Sequence, residues 1–150
     1  MAVNPVGFVQ ALDFGIPHFV TAKANDVVSG GQFLYAVSGT ASSISSGLNS
    51  LVFADLQVNQ PASGTLWPVG VAVHNAGSAT AVSVCTKGFI LAGADGTCTP
   101  GNFVDAKNGA HCVSDLGSNA TLSTANAARV VGRAWTSAGS AGYCLVNLNL

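Results

Sequence analysis

The sequence has no glutamate, a single methionine and only five cationic side chains, so good helix formers and solubilising charges are both scarce. Charged residues make up 7% of the 150-residue chain, against a usual share of about 25%. Solubility ordinarily comes from a charged exterior, and 49% of this chain is hydrophobic. Much of the surface is therefore expected to be covered by further copies of the chain or by a larger assembly. The formal net charge is −1, and Lys23, Lys87, Lys107, Arg129 and Arg133 are scattered, which offers no basic field for nucleic acid or anionic lipid. No stretch approaches the roughly 18 apolar residues of a membrane span. Met1-Ala2-Val3-Asn4-Pro5 lacks the basic start and apolar run of a signal peptide. The expectation is assembly in the cytoplasm, with neither nucleic acid nor membrane as partner.

Signatures of catalysis are also missing. His18, His74 and His111 sit in no HxH, HExxH or HxxxH pattern, and adjacent strand positions send His111 and Cys112 to opposite faces. The six Asp residues, Asp13, Asp26, Asp55, Asp95, Asp105 and Asp115, fall mostly at turns and strand ends, where short polar side chains bond the local backbone. A serine elbow would need glycine where Ala138 stands, and phosphate loops and dinucleotide fingerprints are absent. Asp95-Gly96-Thr97 matches the aspartic protease triplet but is an ordinary hairpin turn. Cys85, Cys98, Cys112 and Cys144 contain no CxxC pair, which excludes a zinc ribbon and leaves buried thiols, or one disulfide such as Cys98 with Cys112. No catalytic, cofactor or metal residues are expected.

What is abundant is Val, Thr, Ser, Gly and Asn, a β composition at the length of one domain. Strands are predicted at 19–23, 33–37, 51–58, 69–74, 81–86, 88–92, 109–113, 130–136 and 143–148, separated by turn clusters such as Ser29-Gly30-Gly31 and Asn108-Gly109. Residues 124–128 suit only a loop or a single helical turn. Short, frequently interrupted strands predict an all-β fold, a small barrel or sandwich. The run from Val69 to Ala79 matches that from Val131 to Ala141 at seven of eleven positions, 62 residues apart. This reads as one hairpin design used twice, with glycine at the strand start for close backbone approach.

The segment 1–17 has Phe8, Leu12, Phe14 and Ile16 but is broken by Pro5, Gly7, Gly15 and Pro17, which predicts an extended N-terminal arm that orders against a partner. Trp67 and Trp135 are candidate contact residues, Trp135 as one buried between subunits. With Tyr35 and Tyr143 they also form a candidate sugar-stacking set. Asn119-Ala120-Thr121 is a formal glycosylation sequon, read as accidental.

From residue 19 onward the order of motifs resembles the small capsid decoration, or cement, proteins of tailed bacteriophages. Phe19-Val20-Thr21-Ala22 followed by Val27 to Leu34 looks like that family's opening strand, turn and second strand. Pro68 to Ala72, Ala81 to Val84 and Gly88 to Leu91 are similar to its valine-rich centre, and Val131 to Ala134 with Tyr143 to Leu148 to its closing strands. The resemblance implies a β-barrel over residues 18–150, commonly a homotrimer, that binds the major capsid protein on the outside of the virion and stabilises the head. It implies no catalytic residues. Against the family's pattern, inserted loops are expected near 40–65 and 93–103. The alternative is a glycan- or receptor-binding β module of a phage fibre or appendage.

Overall fold

In the computed structural model, which describes residues 17–37, 57–60, 68–107, 112–118 and 122–149, nine strands form one continuous sheet. They are β1 (His18–Ala24), β2 (Phe33–Ala36), β3 (Gln57–Asn59), β4 (Pro68–Ala72), β5 (Ala81–Ala94), β6 (Phe103–Ala106), β7 (Cys112–Gly117), β8 (Val130–Ala134) and β9 (Tyr143–Asn149). The one helix among the described residues is α1 (Thr124–Ala127), a single turn capped by the Ser123 side chain. The fold is all-β, as the composition predicts.

The sheet closes on itself twice. Strands β1, β3, β2, β4 and β5 form one five-stranded ring, because β5 pairs back with β1; strands β5, β7, β6, β8 and β9 form a second, because β9 also pairs with β5. The 14-residue β5 is a wall of both. The sequence predicts two strands there, 81–86 and 88–92, divided at Lys87, and the chain instead runs straight through. A bulge and a shift of partner occupy that point: Lys87 pairs with His18 on one edge and Asn149 on the other, and Gly88 adopts a φ of +133°, which disfavours any side chain.

The two rings are copies of one design. Residues 19–36 correspond without a gap to 89–106, with six of eighteen identical, and the repeat seen in the sequence continues the match at the other end of each ring. The correspondence extends to single hydrogen bonds. Ala24 N donates to Thr80 O as Ala94 N does to Gly142 O, and the bridge Val28–Ala76 is matched by Cys98–Ala138. Segment 93–103, expected as an inserted loop, is thus the second copy of 23–33. Of the other expected insertion, 40–65, only Gln57 to Gln60 are described.

A five-stranded ring has a narrow interior, and small side chains fill it. Ala22, Ala24, Leu34, Ala72, Val82 and Val84 line the first; Ala92, Ala94, Val104, Ala134, Cys144 and Val146 stand at the matching positions of the second. Cys98 and Cys144 occupy the sites of Val28 and Val82, so these two cysteines act as small apolar residues. Both are buried free thiols, and burial first, then the neighbouring Cys144, pushes the Cys98 thiol up to about 12. A bridge from Cys98 to Cys112 is not formed.

The rings are joined by more than β5. Phe33, Tyr35, Val71 and Cys85 face away from the first interior, yet all are buried in the apolar cluster of the second ring. The second ring therefore rests on the outer wall of the first, formed by β2, β4 and β5.

Each β4–β5 or β8–β9 connection contains an alanine with positive φ, Ala79 at 63° and Ala141 at 62°. A left-handed alanine costs about 1–2 kcal/mol, part of which glycine would return to the unfolded chain. Ala79→Gly and Ala141→Gly are each expected to stabilise the protein by about 0.5–1 kcal/mol, measured by urea denaturation.

Candidate functional site

Four outward positions lie in one cross-strand row on each ring. In the first the row is Phe33, Val71, Cys85 and Phe19, paired in that order across β2, β4, β5 and β1. In the second it is Phe103, Arg133, Asn147 and Phe89, across β6, β8, β9 and β5. The first three members of the first row are buried under the second ring, whereas the second row faces outward. Where the first copy has Val71 and Cys85, the second has Arg133 and Asn147.

The second row borders a shallow groove of about 370 Å³ lined by Lys87, Phe103, Val130, Gly132, Arg133, Asn147 and Asn149. Arg133 lies over the Phe103 ring, its Cζ 4.2 Å from the centroid, and its Nη1 donates to Gly101 O at 3.4 Å. At Gly132 β8 packs closely on β9: a Cβ there would lie 2.2 Å from Asn147 O. Beyond Asn147, Phe89 meets Trp135 edge to face at 5.1 Å between centroids, and Trp135 is 55% exposed.

Several other titratable groups among the described residues are committed to structure. His74 accepts from Ser83 N through Nε2 and donates from Nδ1 to Asn75 O, while Thr136, its counterpart, accepts from Leu145 N. Burial alone would raise the Asp115 carboxyl; hydrogen bonds from Gly117 N, Asn102 and Thr99 outweigh it and hold the group low. Asn102 to Asp115 repeats the Gln32 to Gln60 bond of the first ring. Asp95 pairs with Lys107 at the surface, and Asp26 accepts from Val27 N. Among the described residues, no group of three or more His, Cys or Asp side chains could hold a metal ion.

Asp105 is the exception in burial, 2% exposed and paired with Arg129. Burial pushes its carboxyl up, with Arg129 and Lys107 opposing, and its Oδ1 has no hydrogen-bond partner. Tyr35 is raised to about 12, by burial first and Asp105 second. A folded-state value above the unfolded one means stability that is full in acid and lost as pH rises through the folded value. Arg129→Met raises that value further. It is expected to cost about 2 kcal/mol at pH 7, less than for a fully buried pair because Arg129 is half-exposed, and distinctly less at pH 4. Urea titrations of both proteins at the two pH values check this.

Of the contact residues read from the sequence, Phe8, Leu12, Phe14, Ile16 and Trp67 lie outside the described residues, as does the arm except for Pro17. The sugar-stacking set is not brought together: Tyr35 is 4% exposed in the core, while Trp135 and Tyr143 stand on the outside of the second ring. Lys87, Phe103, Asn147 and Asn149 were not legible as a set, because only strand pairing unites them. The available signal was the departure of Arg133 from Val71, one of four differences between the two copies of the hairpin.

No protein-family model matches the chain, and no curated protein matches it. Among solved structures it is similar in fold to head fiber gp8.5 N base of bacteriophage phi29, with a TM-score of 0.53 and 15% sequence identity. The match covers 89% of this chain and 95% of that one.

Proposed function

We propose that the chain is a non-enzymatic structural protein of a phage virion, which binds the outside of the capsid lattice and stabilises the head. The observation that carries this reading is the fold likeness to the phi29 head fiber base over nearly the whole of both chains. The scarcity of charge supports it, as do the exposed Phe19, Val27, Trp135 and Tyr143, apolar surface suited to cover by a neighbour. The partners in this reading are the major capsid protein and further copies of the chain, as a homotrimer. No step in it requires a cofactor.

The test is to mix the purified chain with heads that lack it and pellet them. Co-sedimentation at a fixed stoichiometry, with heads that withstand a higher temperature before releasing their DNA, is the expected result. Heads that pellet without the chain overturn the reading. Light scattering at high protein concentration examines the trimer, and a monomer both free and on heads counts against it. The neighbour's description as a fiber base favours one alternative, a base for an appendage. That role predicts binding to heads with no gain in their heat resistance.

A further inference from the structure

We infer that the groove on the second ring is a binding site for an acidic saccharide, a sugar bearing a carboxylate. The inference is independent of the capsid reading. It starts from the duplication, which supplies an internal comparison. In the first ring Val71 and Cys85 hold these places under the cover of the second ring, so the ring closes without arginine or asparagine there. Their counterparts, Arg133 and Asn147, line an open groove together with Lys87 and Asn149. Two of the chain's five cations meet in it, and among the described residues that line it none is acidic.

The side chains define the ligand. Lys87 and Arg133 supply positive charge for a carboxylate, and the guanidinium is held flat against Phe103, which fixes its orientation. Asn147 and Asn149 each offer a donor and an acceptor. An acceptor needs a donor to satisfy it; sugar hydroxyls supply donors in number, whereas an ionised acidic side chain supplies none. Phe103 and the Phe89–Trp135 pair flank the polar row, giving apolar faces for the C–H side of a pyranose ring. The volume is that of a small-ligand site. Strands β8 and β9 are paired on both edges, so an extended peptide has no free edge to join there.

The test is calorimetric titration of the full chain with an oligoglucuronate, beside neutral oligoglucose of equal length, oligoglutamate and monomeric glucuronate. Saturable, salt-sensitive binding of the oligoglucuronate is expected, with weaker or absent binding of the neutral sugar and the peptide. Monomeric glucuronate binding as tightly as the oligomer would identify a one-residue site for a free acid sugar; tighter oligomer binding identifies a polysaccharide. Arg133→Gln and Asn147→Ala are each expected to weaken binding about tenfold or more. Lys87→Gln, at an exposed position, is a further variant should either of these fail to fold by circular dichroism, and the same loss is expected of it. No binding of oligoglucuronate overturns the assignment. So does equal binding of oligoglucose or oligoglutamate, or unchanged affinity in the folded variants.

Discussion

Gly132→Ala is expected to destabilise the protein by about 3 kcal/mol, lowering Tm by roughly 10 °C. The methyl group would sit 2.2 Å from the carbonyl oxygen of Asn147 and 2.9 Å from its carbon, and backbone in a closed ring cannot turn aside as a side chain can. Gly70 meets the same obstacle in the first ring, 2.3 Å from Cys85 O, so Gly70→Ala is expected to cost as much. Gly139→Ala is the control, since nothing lies within 4 Å of its added methyl and its cost is set by backbone freedom alone. Thermal and urea denaturation of the three variants check the ordering. A Gly132→Ala protein as stable as the parent would mean that β8 and β9 are not packed this closely.

Phe33→Ala is expected to cost about 4 kcal/mol, the largest effect of any single truncation proposed here. Phe33 is fully buried and belongs to the cluster that joins the first ring's wall to the second ring's interior. Removing it opens a cavity at the junction, so both rings should lose stability in one transition. Its counterpart Phe103 is only half-buried under Arg133, and Phe103→Ala is expected to cost about 1–2 kcal/mol. Circular dichroism through urea denaturation gives both values. Two separated transitions in Phe33→Ala would show the rings to be independent.

Much of the architecture was legible because each ring is built from alternating small apolar residues, a pattern that marks strands wherever it is regular. The closing hairpin of each ring was visible as a repeat because Gly70 and Gly132 are fixed by close approach and the turn that follows is copied almost intact. The opening half of the repeat was not, since six identities in eighteen positions do not rise above the bias of so Ala- and Gly-rich a chain. Strand β6 was missed for a different reason. Phe103-Val104-Asp105-Ala106 carries an Asp where burial is unexpected, and only Arg129, 24 residues on, makes it tolerable. Lys87 was read as a break between two strands, but it lies at the register shift where β5 passes from one ring to the other. Trp135, expected between subunits, is 55% exposed in the single chain. The groove was out of reach because its members come from four separate parts of the chain.

Stacking one ring on the outer wall of its predecessor is a head-to-tail contact, and such contacts have no natural end. The first wall receives a ring through Val71 and Cys85, and an identical second wall would invite a third ring from a neighbouring molecule, then a fourth. Arg133 and Asn147 close that possibility, since a ring seated there would have to strip water from a guanidinium and an amide without repaying them. Together with Asp105, which stands where the first wall has Tyr35, they make the second wall a poor seat for another ring.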